Sequence, residues 1–329
     1  MPLDGFKRDI NYLRISVIDR CNLRCTYCMP LEGLRFTPGK ELMTPEEIGR
    51  LVRVAVDAGF TKFRLSGGEP TLRSDLEQII REIRSVDGVG ELALTTNGIL
   101  LPKLAPALAD AGLDRVNLHI DTLNETRLRQ VMRFNELSQV QAGIDAAEAA
   151  GLTPLKLNTV VVRDLNDEDV VHLAAQTLER DWHVRFIELM PLGGGENAAY
   201  SRDRFVPSAQ TRALIEEKFG ALEPLPVLNP SDESRNFRIG GGRGVIGFIS
   251  PVSEPFCGNC NRMRITAAGR FHLCLLHNDE VDVREHLRSA AGEERLRELL
   301  MLAVGRKPSG HDLAAGVSNE LRTMYQMGG

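Results

Sequence analysis

The six cysteines of this 329-residue chain fall into two triplets and nowhere else. Cys21, Cys25 and Cys28 sit in CNLRCTYCMP with C-x3-C-x2-C spacing, and Cys257, Cys260 and Cys274 follow C-x2-C-x13-C. Six thiols are too few for a disulfide scaffold in a chain this long, and a lone free cysteine is usually a small buried hydrophobe. Tight grouping points instead to metal. A structural zinc site wants four Cys or His ligands. Only the second triplet has neighbours to complete one, His272 and His277. Three thiolates on a four-iron four-sulfur cubane leave one iron open to a further ligand, and soft sulfur donors favour that partner for both triplets. Neither triplet carries the C-x2-C-x2-C-x3-C run of bacterial ferredoxins, which disfavours a simple electron carrier.

Basic residues form the second chemical pattern. Arg14, Arg64, Lys156 and the pair Arg262 and Arg264 lie in strand-like segments with apolar neighbours. A single Arg or Lys is ordinarily a solvated surface charge, but a charge inside such a segment needs an anionic partner. Period-two alternation puts Arg262 and Arg264 on one face if their segment is extended. Overall charge offers no substitute, since 40 Lys and Arg stand against 45 Asp and Glu for a net −5. No general attraction to nucleic acid or an anionic membrane follows. The longest run without a charged residue, 92–102, is far short of the ~20 needed to cross a bilayer. Residues 1–10 carry four charges and no apolar signal core, so the expectation is a cytosolic protein.

These residues must be held by elements that the sequence also outlines. Strands are expected at 13–18, 62–66, 91–95, 115–120, 155–162 and 184–189, and helices at 45–58, 75–85, 103–111, 137–150 and 167–181. Thr44-Pro45-Glu46-Glu47 reads as a capping box opening the first helix, and Gly59 as its stop. Six β/α units in series imply a parallel sheet, and six rather than eight suggest a partial (β/α)6 TIM-like barrel over residues 1–195. Residues 196–329 are expected to form a C-terminal α+β extension, with a helix at 208–219 and strands at 237–239 and 244–249, carrying the second cysteine triplet.

Barrels of this kind do chemistry at the C-terminal ends of their strands. The cysteines Cys21 to Cys28 follow the first strand, Gly67-Gly68-Glu69-Pro70 the second, and Thr95-Thr96-Asn97-Gly98 the third; Asp121 ends the fourth and Met190 the sixth. Asp19, Glu69 and Asp121 are the carboxylates there, with Glu69 expected to shape its own turn. Trp182 reads as packing.

C-x3-C-x2-C after an early strand, with Tyr27 before Cys28 and GGEP downstream, resembles the radical S-adenosylmethionine enzymes. LRISVIDRCNLRCTYCMP, RLSGGEP, LTTNG, KLNTV, RFIELMP, the CGNCNRMRIT block and the terminal Gly328-Gly329 match, in order, the GTP 3′,8-cyclase family within them. The resemblance spans nearly the whole chain. It implies two four-iron four-sulfur clusters, one on Cys21, Cys25 and Cys28 and one on Cys257, Cys260 and Cys274. It also implies cleavage of S-adenosylmethionine to a 5′-deoxyadenosyl radical and cyclisation of GTP, the first step of molybdenum cofactor biosynthesis. Tyr27, Gly68, His119 and Met190 would line the S-adenosylmethionine site. Arg14, Lys62, Arg64, Thr95, Lys156, Arg262, Met263 and Arg264 would contact GTP, whose triphosphate suits buried cations. Arg262, Arg264, Gly328 and Gly329 would carry catalytic roles, the tail reaching into the active site. His119 stands where the family commonly has serine. An electron donor, a downstream cyclic pyranopterin monophosphate synthase and a homodimer or monomer complete what the resemblance implies. Two other readings stay open on the residues alone: a peptide-modifying radical enzyme with one auxiliary cluster, and a non-catalytic metal-dependent sensor.

Overall fold

The structure is a computed structural model that describes residues 2–133, 136–289, 292–311, 313 and 319–328. Six strands succeed one another in parallel: β1 (Tyr12–Ile18), β2 (Lys62–Gly67), β3 (Glu91–Thr96), β4 (Arg115–His119), β5 (Lys156–Val161) and β6 (His183–Glu188). Parallel neighbours need crossovers. These are α1 (Pro45–Asp57), α2 (Leu76–Arg84), α3 (Leu101–Asp110), α4 (Glu125–Val131) with α5 (Leu137–Ala149), and α6 (Val170–Glu179). The capping box at Thr44 and Glu47 is formed, each side chain meeting the other's backbone N–H. The short α4 has no counterpart in the sequence reading; Asn124 starts it by accepting from Arg127 N.

Alternation divides each strand between two environments. Leu13, Ile15, Phe63, Leu65, Leu92 and Leu94 pack beneath the helices in one continuous core. Their neighbours, among them Arg14, Ser16, Arg64, Ser66 and Thr95, turn to the other face.

The C-terminal region mixes helices and strands, as expected. It comprises α7 (Gly195–Asp203), α8 (Ser208–Phe219), β7 (Glu223–Pro224), β8 (Arg235–Arg238), β9 (Val245–Ile249), β10 (Arg262–Ile265), β11 (Arg270–His272), β12 (Glu280–Asp282), α9 (Arg284–Arg288), α10 (Glu293–Gly305) and α11 (Met324–Met327). Its strands form no sheet of their own. β9 adds in parallel to β6 and β10 in parallel to β1, giving one twelve-stranded order β12-β11-β10-β1-β2-β3-β4-β5-β6-β9-β8-β7. An open six-stranded barrel would leave the backbone groups of β1 and β6 unpaired, and the two C-terminal strands satisfy both edges. Among the described residues, no helix is long and apolar enough to cross a membrane.

Candidate functional site

One cavity at the C-terminal ends of the parallel strands is lined by all six cysteines. The loop after β1 brings up Cys21, Cys25 and Cys28. A tight turn joins the last two, with Cys28 N donating to Cys25 O at 3.0 Å, and Leu23 N approaches Cys21 Sγ at 3.3 Å. Leu23, Leu128, Val131 and Met132 form an apolar backing for Cys21 and Cys25. Burial pushes the Cys21 thiol up to about 11 and Cys28 up to about 12, and it drives Cys25 well upward. Facing one another adds to the shift, Cys25 being opposed by Cys28 and Cys21. Three half-buried thiols that cannot ionise side by side are what a cationic iron–sulfur core would stabilise as thiolates, so the donor set fits one.

Beside them the turn after β2 comes extremely close to the first loop. A Cβ on Gly67 would strike the Ile18 carbonyl and one on Gly68 the Arg20 carbonyl, so only glycine allows the approach. Glu69 is buried and holds this turn in place as the sequence suggested. It accepts from Thr71 N at 3.0 Å, Thr96 Oγ1 at 2.7 Å and Asn97 N at 2.8 Å. Tyr27, His119 and Asp121 form a compact triad that sequence spacing did not reveal. Tyr27 OH lies 2.8 Å from His119 Nε2 and donates to Asp121 Oδ2 at 2.7 Å, while His119 Nε2 is 3.0 Å from Asp121 Oδ2. Burial opposes charge on His119, but the Asp121 carboxylate outweighs it and raises the imidazole's pKa. Gly68 and Met190 line the same part of the cavity.

Deeper in the barrel, the polar strand faces build a cradle of cations. Arg14 pairs in register with Arg64 on one side and Arg264 on the other, and Tyr12 with Arg262. Arg14, Arg64, Arg185, Arg262 and Arg264 all line the cavity, with Thr95 nearby. Arg185 Nε donates to Asn158 Oδ1 at 2.9 Å. Burial presses Arg185 down to about 10 and Lys156 down to about 8, with neighbouring arginines adding to both. Such crowding favours an anion.

Lys62 is the first residue of β2 and Lys156 the first of β5, and neither lines the cavity, although Arg185, Arg115 and Arg64 press on the Lys156 ammonium and so share its surroundings. Met263 points the opposite way from Arg262 and Arg264 and is fully buried in the apolar core, so any approach to a ligand runs through its backbone.

The second triplet faces the first across the cavity. Burial opposes ionisation of Cys260, but Arg262, Lys307 and Arg264 overcome it and bring the thiol down to about 6. Cys257 is raised by burial and by Cys274 and Cys260. A partly cationic rim around three soft donors fits a second cluster. The zinc alternative loses its fourth ligand: His272 stands between Glu280 (3.5 Å) and Asn319 (3.3 Å), and His277 Nε2 is 2.8 Å from Gly310 O. Neither imidazole lines the cavity.

Comparison with known proteins decides the family. The Radical SAM superfamily model matches residues 15–176 and the Molybdenum Cofactor Synthesis C model residues 182–313. The chain is 44% identical to the GTP 3′,8-cyclase of Pelotomaculum thermopropionicum over 99% of both proteins, and 44% identical to that of Moorella thermoacetica over the same shares. This chain belongs to the GTP 3′,8-cyclase family. The mitochondrial GTP 3′,8-cyclase of Arabidopsis thaliana is 40% identical, with 100% of this chain and 84% of that protein covered. Among solved structures, SuiB of Streptococcus suis bound to S-adenosylmethionine superposes with a TM-score of 0.62 at 16% identity, over 88% of this chain and 68% of that one. That likeness shows the shared radical S-adenosylmethionine fold. Membership in the superfamily implies a four-iron four-sulfur cluster and S-adenosylmethionine binding.

In this cyclase-family chain the C-terminal tail turns inward. Met327 is fully buried, and Gly328 lies in left-handed backbone (φ 71°) against β1 and β2, where an added Cβ would come 2.5 Å from Ser66 Oγ and 3.1 Å from Ser16 Cβ. The Tyr325 backbone N–H points at Cys28. Gly329 lies outside the described residues. Sequence reasoning missed Arg185, Asn158 and Glu233, which line the cavity. Arg185 had a signal, since it sits between Val184 and Phe186 as Arg14 sits between Leu13 and Ile15. Glu233 had none, being one carboxylate in a polar loop.

Proposed function

We propose that this chain is a GTP 3′,8-cyclase whose two cysteine triplets face each other across a single reaction chamber. One observation carries the reading: both triplets and the arginine cradle open into the same cavity. Cys21, Cys25 and Cys28 hold the first cluster, and Cys257, Cys260 and Cys274 a second. When bound, the first cluster and S-adenosylmethionine would supply a 5′-deoxyadenosyl radical able to take hydrogen from the ribose 3′ carbon of GTP; closure of that carbon onto carbon 8 of guanine would leave an unpaired electron on the base, to be quenched by one electron from the external reductant and a proton.

The chain's own residues control where this happens. Tyr27, Gly68, His119 and Met190 position S-adenosylmethionine, with Asp121 holding Tyr27 and His119 in place. Arg14, Arg64, Arg185, Arg262 and Arg264 grip the triphosphate, with Thr95 beside them, and so fix the ribose relative to the first cysteine loop. Orientation of this kind supplies a large share of the rate of a reaction between two bound molecules. Leu189, Leu192, Leu275 and Leu276 line the same chamber and exclude water from a reactive carbon radical. Arg262, Arg264 and Lys307 compensate the thiolate charge of the second triplet.

The test is anaerobic reconstitution with iron and sulfide, followed by incubation with GTP, S-adenosylmethionine and a chemical reductant. Cyclised nucleotide and 5′-deoxyadenosine should form in equal amounts. Iron-loaded protein that cleaves S-adenosylmethionine without consuming GTP would refute the reading.

A further inference from the structure

Glu233 reaches into the barrel from the turn before β8, where Asp232 N donates to Asn229 O at 3.0 Å and Ser231 N to Asn229 Oδ1 at 3.0 Å. Its carboxylate accepts from Arg14 Nη2 at 3.2 Å and from Arg262 Nη1, and it lies 3.8 Å from Arg185 Nη1. It therefore occupies the centre of the cation cradle. The match is incomplete. Nε of Arg14, Arg64 and Arg264 and Nη2 of Arg262 are buried without a hydrogen-bond partner among the described residues. Four guanidinium groups act on the Glu233 carboxylate, and even with Asp232 also acting on Arg185 they leave a positive excess, while buried unpaired N–H groups call for explanation. Outside the barrel the same segment holds on weakly, since Leu228 is 94% exposed and Val227 64%. Little apolar packing resists its withdrawal.

We propose that Glu233 is an exchangeable internal counter-anion, holding Arg14, Arg185 and Arg262 until a triphosphate displaces it. The proposal rests on the cyclase reading for the identity of the nucleotide but not for the exchange itself. A carboxylate brings one charge and two acceptor oxygens. A triphosphate brings several of each and can also meet the N–H groups that Glu233 leaves unpaired. A monophosphate can bind without displacing it and so escapes much of that cost, which makes the gain on removing the carboxylate largest for the triphosphate.

The experiment titrates inorganic tripolyphosphate, GTP and GMP into cluster-loaded wild type, Glu233→Gln and Glu233→Ala by anaerobic calorimetry. Both variants should bind tripolyphosphate and GTP about tenfold tighter or more, with GMP gaining no more than GTP. Weaker or unchanged tripolyphosphate binding would overturn the proposal, because a residue that contacts the ligand or merely orders the arginines gives one of those results. Should removing the carboxylate prevent folding, hydrogen exchange on the wild type decides. Protection across 225–234 should fall when tripolyphosphate binds, and a rise or no change rejects the exchange. Failure of the cyclase reading is seen separately, as wild-type protein that forms no cyclised nucleotide.

Discussion

Arg14 and Arg264 stand side by side across the parallel ladder of β1 and β10, one guanidinium half-buried and the other buried. Burial presses the pKa of each downward, and Arg14 and Arg262 press further on Arg264. Joining the first strand to a C-terminal strand in this register is what brings the two cysteine triplets into one chamber. It also stores a like-charge contact that a bound polyanion relieves.

Arg264→Met should therefore separate stability from binding. Losing an Arg–phosphate contact costs on the order of 2–5 kcal/mol, so GTP affinity should fall roughly 30-fold or more, and Arg262→Ala should do the same. Without nucleotide, the Met variant should melt no lower than wild type, because it removes a buried repulsion. Binding of S-adenosylmethionine should change little. Calorimetry and thermal scans on the same preparations read both effects. A variant that melts lower and still binds GTP would make Arg264 a structural residue.

The cysteine triplets should divide their work. Reconstituted wild type should carry about eight irons per chain, and the triple Ala variant of Cys21, Cys25 and Cys28 about four. Cys28→Ser should abolish 5′-deoxyadenosine. Cys260→Ala should lose cyclised nucleotide while keeping some uncoupled cleavage of S-adenosylmethionine. Equal loss of cleavage in both variants, measured by chromatography of the nucleoside products, contradicts the division.

Much of this site was legible because its residues are constrained by local spacing. Cys21 to Cys28, the Gly67-Gly68 turn and the six β/α units each carry a short-range signature, and the strands lie within a residue or two of where alternation puts them. What alternation cannot tell is which edge a strand joins. The strand expected at 244–249 and the extended segment around Arg262 and Arg264 carried no sign of their partners, yet they seal opposite edges of the barrel. Long-range partners escaped for the same reason. Nothing near Tyr27 in sequence announces Asp121, and nothing in a polar loop announces that Glu233 turns inward. Lys62 and Lys156 begin their strands and do not line the chamber, whereas Arg262 begins β10 and does, so neither residue type nor position along a strand announces by itself which cations line it.

His119 should confer a pH-dependent stability. Its pKa is raised above the usual 6.5 because Asp121, opposing the cost of burial, favours the imidazolium. A group with a raised folded value contributes stability that is fully present below the unfolded pKa and fades as pH climbs through the folded one. Replacing it with an uncharged amide, His119→Gln, should lower the thermal midpoint more at pH 6 than at pH 9. Scans at a fixed rate at the two pH values supply the comparison. An equal loss at both would mean that packing, not the ion pair with Asp121, accounts for His119's contribution.

The tail supplies the last test. Chain ends are usually frayed and indifferent to trimming, but here the capping pair Thr323 and Gln326 sets a final helical turn, Met327 is buried, and Gly328 lies on Ser16 and Ser66 inside the barrel. Left-handed backbone at Gly328 suits glycine alone, and a methyl group there would press on Ser66 Oγ. Gly328→Ala should consequently displace the tail from β1 and β2, and deleting Gly328 and Gly329 should remove it. Both changes should sharply reduce cyclised nucleotide per enzyme while leaving iron content and the binding of S-adenosylmethionine intact. A synthetic peptide ending in Met-Gly-Gly should partly restore the truncated enzyme, because it can re-enter the same channel. Full activity in the truncated protein would show that the inward turn of the tail only closes the barrel, with no part in the reaction.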